Sequence, residues 1–234
     1  MKQFLISSSL SLLIAASFSS CEDEGECACV EPMPEYTYTF ESGKEGWTTG
    51  FADYPVGEDE FYELGAEVAA LPSPLDANQK GIKITGNNHS DDLFMFLTRP
   101  ITNLGINATY QLVVEIEMAY NVPENSVGIG GSSVYLKAGA ATKEPKAVQQ
   151  DDFWQMNLDK GNQSQPGADM QVLGTIGTDR EDFTYTLISA DNRDNPMTVK
   201  TDDQGKLWVI IGTDSAFEGI TTLYYNRITV RLLP

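Results

Sequence analysis

From Glu35 onward, apolar side chains recur at every second position. Tyr36, Tyr38 and Phe40 alternate with Thr37 and Thr39, and Ile82 and Ile84 flank Lys83. The cleanest run is Tyr110, Leu112, Val114, Ile116 and Met118, set against Gln111, Val113, Glu115 and Glu117. Val134–Leu136, Phe183–Leu187, Leu207–Ile211 and Ile228–Leu232 continue the series. A period of two puts one row of side chains inward, as a half-buried strand requires. Leu93–Leu97 is apolar at every position, which predicts a central strand covered on both faces. Gly86-Asn87-Asn88, Gly128–Ser133, Asp159–Asn162 and Asp202–Gly205 supply turns between the runs. Glu63–Leu71 is the one stretch that suits a helix, and it is short. Gln149–Gln171 is polar and reads as an excursion from the main body. The expectation is all-β: a single antiparallel sandwich of about ten to twelve strands over residues 35–234.

The N-terminus is of another kind. Lys2 precedes the apolar and small-residue stretch Phe4–Phe18, and Phe18-Ser19-Ser20 leads into Cys21. That stretch has the size of a secretory signal and is too short and serine-rich for a membrane span. The Ser19-Ser20-Cys21 junction resembles a bacterial lipoprotein processing site, which implies cleavage before Cys21 and acylation of its thiol. An ordinary signal peptide with a nearby cysteine is the alternative. Residues 1–20 are then the signal, and 21–34 an acidic tether, Glu22-Asp23-Glu24-Gly25-Glu26 followed by Val30-Glu31-Pro32-Met33-Pro34. Acid directly after the cysteine resembles the surface-export signal of Bacteroidetes lipoproteins, implying an outer-membrane anchor with the domain facing outward. In other bacteria the same position implies inner-membrane retention.

Charge narrows the partners. The chain carries 34 acidic and 15 basic residues, a net charge of −19. Such a surface repels phosphate backbones, which excludes nucleic acid as an expected partner, and leaves membrane contact to the acyl chains alone. Cys27 and Cys29, with one residue between them, would make a strained disulfide and a weak zinc signal. His89 is the only histidine, so any triad or histidine-based site must use it.

Two ends of the domain resemble carbohydrate-binding modules of the galactose-binding-like, jelly-roll group. They are Tyr38–Gly43 with Gly46-Trp47, and Leu223–Val230 as a last strand. Gly86–Asp92, Gly128–Gly131 and Gly212–Ser215 together resemble a family of Bacteroidetes-like surface lipoproteins. The resemblance implies a jelly roll that binds glycans, with a structural calcium where the first and last strands meet. Glu41 and Asn226 match that position, Asn226 standing where an aspartate is usual.

Asn87–Asp92 is the densest polar cluster, placed just before the buried strand. Its Asn88, His89, Asp91 and Asp92 offer hydrogen bonds for sugar hydroxyls or a cation, and an imidazole next to two carboxylates suits acid–base work. A loop satisfying its own backbone is the alternative. Asp53 and Tyr54 pair a carboxylate with a ring, and Trp154 is the ring expected to be exposed, since sugar sites use aromatic platforms with polar groups around them. Trp47 and Trp208 read as core. No Gly-x-Ser-x-Gly elbow, phosphate loop or dinucleotide fingerprint is present. Three functions follow: a non-catalytic glycan-binding surface lipoprotein, a structural or adhesive protein recognising another surface protein, and a hydrolase or lyase using His89 with Asp91 or Asp92. The first is the leading expectation.

Overall fold

The computed structural model describes residues 34–126 and 130–234. The signal, Cys21, Cys27, Cys29, the tether to Met33 and the pair Gly128-Ile129 lie outside the described residues.

Among the described residues fifteen strands form: β1 Glu35–Tyr38, β2 Thr48–Ala52, β3 Tyr54–Pro55, β4 Gly65–Ala70 and β5 Lys80–Asn88. Then come β6 Leu93–Ile101, β7 Thr109–Tyr120, β8 Val134–Ala141, β9 Ala147–Gln150 and β10 Phe153–Met156. The chain closes with β11 Met170–Thr175, β12 Thr186–Asp191, β13 Met197–Lys200, β14 Leu207–Ser215 and β15 Gly219–Leu233. A seven-stranded sheet runs β12-β7-β15-β5-β4, with β1 on β15 and β13 on β7, and a five-stranded sheet runs β11-β8-β14-β6-β2. All of their pairings are antiparallel. Together they hold the twelve strands of an all-β sandwich, as the period-two pattern predicts. β3, β10 and β9 add a small third sheet.

The alternation decides which residues meet between the sheets. Leu112, Val114, Ile116 and Met118 of β7 face Leu93, Met95 and Leu97 of β6 and Val209 and Ile211 of β14 in one buried core. β15 contributes Leu223 and Tyr225, then Ile228, Val230 and Leu232, a change of parity. A register shift between Tyr225 and Arg227 absorbs the extra residue, Asn226, and returns the later side chains to the core.

The all-apolar run in β6 has the predicted reason. Phe94 and Phe96 point away from that core into a second one with Ala52, Ile210, Met156 and Met170. The last two, with Leu158, come from the polar excursion and Ala147 from just before it, so this segment roofs the outer face of the five-stranded sheet. Residues 65–70 are a correction. They form β4 on β5, and only the turn at Glu58–Glu63 coils. The strand gains a full edge of backbone partners, which a single helical turn cannot supply.

Candidate functional site

The excursion crosses the sheet through a loop held by its own side chains. Asp159 accepts the amides of Gly161 at 3.0 Å and Ala168 at 2.9 Å, while Asp169 accepts that of Asp159 at 2.9 Å. Gly161 sits at φ 70°, and a Cβ there would lie 2.2 Å from the Gln165 carbonyl oxygen. The tight loop therefore needs glycine. Its product is the placement of Lys160, whose side chain is 8% exposed, against the outer face of the five-stranded sheet.

Lys160 Nζ lies 2.8 Å from Asp214 Oδ2, 2.9 Å from Asp53 Oδ2 and 3.9 Å from Asp92 Oδ1. Beneath it, Lys137 Nζ donates to the same Asp214 Oδ2 at 2.8 Å and to the carbonyls of Lys160 and Gln165 at 2.9 and 3.1 Å. The Gln163 amide also donates to Asp214 Oδ2 at 2.8 Å. The side chains of Lys137 and Asp214 are fully buried. Parity explains both: Leu136 and Ala138 face the main core, so Lys137 faces the roof, and Asp214 shares that side of β14 with Ile210.

The fields at this cluster pull against one another. Burial pushes Asp53 above its usual range against the pull of Lys160. Asp92, desolvated and close to Asp214 and Asp53, rises to about 7 in spite of Lys160. Burial lowers Lys137 despite Asp214. Burial alone would lower Lys160 too, but Asp214 and Asp53 together hold it above its ordinary value. For Asp214 burial would raise the carboxyl, and the two lysines win and hold it low.

Above the cluster lies an open cleft of about 270 Å³ lined by Asp53, Ser90, Asp92, Phe153 and Gln155. Asp53 reaches it because its backbone is left-handed, φ 62°, a conformation that aspartate tolerates. The turn ends β2 and lets the Asp53 amide donate to the Trp154 carbonyl at 2.6 Å, so that β3 can pair with β10. Ser90 Oγ donates to the Asp53 carbonyl at 3.1 Å.

The expected site residues divide accordingly. Asp53 and Asp92 meet in the cleft. Asp91 is exposed beside them, its carbonyl accepting Gln163 Nε2 at 2.8 Å. Asn88 is buried and structural, donating to the Ser215 and Phe217 carbonyls at 2.9 and 3.0 Å and accepting the Ser90 amide. His89 stacks on the exposed Phe61 at 4.1 Å and meets Tyr62 edge-on, so its ring partners are aromatic rather than Asp91 or Asp92. Tyr54 is buried, its hydroxyl donating to Asp59 at 3.0 Å.

Trp154 is a correction: it packs half-buried on the main core, and its neighbour Phe153, 40% exposed, is the ring that borders the cleft. Alternation on β10 decides this, since adjacent residues face opposite sides. Trp47 is core, whereas Trp208 lies half-buried with Lys206 Nζ 4.2 Å over its ring. Lys137, Lys160, Phe153 and Gln155 were not singled out in the sequence. Lys160 and Lys137 meet Asp214 from 54 and 77 residues away, so no local pattern announces them.

The calcium position fares differently from its expectation. Glu41 accepts the Lys80 amide at 3.2 Å, and Asn226, the bulge residue, donates to Glu117 at 2.7 Å. Both contacts are to protein groups, and two residues supply far fewer oxygens than the roughly six to eight that calcium takes. Among the described residues, the group of three metal-type side chains is Asp53, Asp92 and Asp214, with oxygens within 4.8 Å of one another. The Lys160 ammonium stands among them as their cation.

No family model matches the chain, and no curated protein matches it. Among solved structures it is similar to tailspike protein 4 of bacteriophage CBA120, with 10% identity, TM-score 0.37 and coverage of 80% of this chain and 19% of that one. Promiscuous carbohydrate-binding modules of the β-sandwich superfamily give 12% identity and TM-score 0.39, over 84% of this chain and 61% of theirs. The family 11 carbohydrate-binding module of a Clostridium thermocellum cellulosomal cellulase gives 8% identity and TM-score 0.40, over 87% and 96%. The chain thus spans less than two thirds of the first two.

Proposed function

We propose that this chain is a non-catalytic binding protein whose cleft beside Phe153 takes a glycan. The observation that carries the reading is the lining. An exposed ring stands next to two carboxylates, an amide and a hydroxyl, the combination that grips the C–H face and the hydroxyls of a sugar. The Asp92 side chain, 39% exposed, lines the cleft and offers its open side to a ligand hydroxyl. The Lys160 contact at 2.9 Å keeps Asp53 in an ion pair, which dulls it as a nucleophile. Cys21, acylated after signal cleavage, would anchor the domain to the outer membrane facing outward, with residues 21–34 as tether.

A glycan-array screen of the protein, in calcium and in chelator, tests the binding reading. Binding that is indifferent to calcium supports it. Silence on a broad array moves the function to protein adhesion, for which exposed Phe183 and Leu187 are the candidate contacts. Product formation from a polysaccharide, lost in Asp92→Asn, overturns the non-catalytic assignment. Mass spectrometry of the mature N-terminus tests the anchor, and a free N-terminus at a residue other than Cys21 refutes it.

A further inference from the structure

The pair beneath the cleft is placed for chemistry of its own. Lys137 Nζ and Asp214 Oδ2 are 2.8 Å apart, and neither side chain touches solvent. They stand on neighbouring antiparallel strands, Lys137 opposite Gly212, where the Phe94 ring fills the space a side chain would take. We propose that Lys137 and Asp214 condense to an intramolecular amide that ties β8 to β14.

Each requirement of that reaction has a residue. The nucleophile is the lysine amine, which must shed its proton, and burial pushes Lys137 in that direction. The electrophile is Asp214 Cγ. Its Oδ2 already receives Lys160 Nζ and the Gln163 amide, each at 2.8 Å, two donors fixed in place to hold the negative charge of a tetrahedral intermediate. Asp214 Oδ1 is buried with no hydrogen-bond partner, so this oxygen is free to leave. The carboxyl group of Asp92, in the same cluster of oxygens within 4.8 Å, stands ready to give and take a proton near neutrality. Two groups held in contact by the fold need no encounter step, and the complete burial of both side chains keeps bulk water from reversing the reaction.

The step balances without a co-reactant. The ammonium gives a proton to the Asp92 carboxylate, the neutral amine adds to Cγ as Asp92 passes that proton to Asp214 Oδ1, and the Nζ–C bond forms. The C–Oδ1 bond then breaks. The departing oxygen carries off two protons that began on Nζ, and Asp92, having relayed them, is restored. One amide and one water replace the ion pair, with no change of oxidation state.

Peptide mass mapping of the folded, purified protein tests this, because trypsin cannot cut after an acylated lysine. The expected result is a joined species that contains Lys137 and Asp214 and weighs one water less than its two strands, with the linear peptides absent. Lys137→Arg should give linear peptides alone. Asp92→Asn should slow the joining while leaving Lys137 and Asp214 in place, so that linear and joined forms coexist. A wild-type chain that yields only linear peptides after prolonged incubation overturns the proposal and makes the pair ionic. Wild type alone decides the matter should either variant fail to fold. Glycan binding is read separately, so neither result depends on the other.

Discussion

Replacing Lys160 with methionine keeps most of the side-chain volume and removes the charge around which the cleft is built. Asp53 loses the cation 2.9 Å from its Oδ2, and its side chain is only 14% exposed. Stripping the partner from a buried charge pair costs roughly 3–5 kcal/mol, most of it the desolvation of the charge left behind. Asp53 retains some contact with water and, with burial already raising it, can take up a proton instead. The lower end, about 3 kcal/mol at neutral pH, is therefore expected for Lys160→Met. The loss should shrink in acid, where the stranded carboxylates are neutral. Urea unfolding of wild type and variant, followed by tryptophan fluorescence at neutral and mildly acidic pH, reads both effects. A loss below about 1 kcal/mol, the range of an exposed ion pair, would show that Lys160 does not organise this cluster. So would a loss independent of pH.

Three further outcomes follow from the same geometry. In Lys160→Ala the oxygens of Asp53, Asp92 and Asp214 lose their resident cation, so calcium should raise the melting midpoint of the variant and leave wild type unmoved; equal stabilisation of both would contradict this. Asp92 is raised to about 7 in the folded state, so its contribution is present in acid and lost as pH rises through neutrality; Asp92→Asn should flatten the fall in midpoint, and an unchanged slope would assign it elsewhere. Phe94→Ala opens the second core under the excursion and should cost about 3–5 kcal/mol by chemical denaturation; a cost near zero would mean the roof is not packed.

The sandwich was legible because its cause is local. Alternation in residues 110–118 and 228–232 needs only a chain with one dry face, and Leu93–Leu97 declared a second dry face before its cover was visible. The bulge at Asn226 was not legible, since one extra residue between two good alternating runs leaves no mark except a change of parity. Residues 63–71 misled because Ala66, Ala69 and Ala70 favour helices locally, while the edge of β5 offered backbone partners that propensity does not count. At the cleft, Asp53 and Asp92 stood out by composition. Lys160 did not, because Asp159-Lys160-Gly161-Asn162 is turn chemistry by every local criterion, and its burial is decided by carboxylates on other strands. Phe153 and Trp154 were one residue apart, and only the register of β10 on β3 and β9 could say which ring met solvent.

The glycan proposed for this protein sits in the cleft beside Phe153. Backbone amide chemical shifts, followed while an array-selected oligosaccharide is titrated into the labelled protein, test that placement most directly. Shifts should concentrate at Asp53, Ser90, Asp92, Phe153 and Gln155, and Phe153→Ala should weaken the titration while leaving the melting midpoint close to that of wild type. Saturating shifts confined to another face, with the cleft silent and Phe153→Ala binding as wild type does, would contradict it.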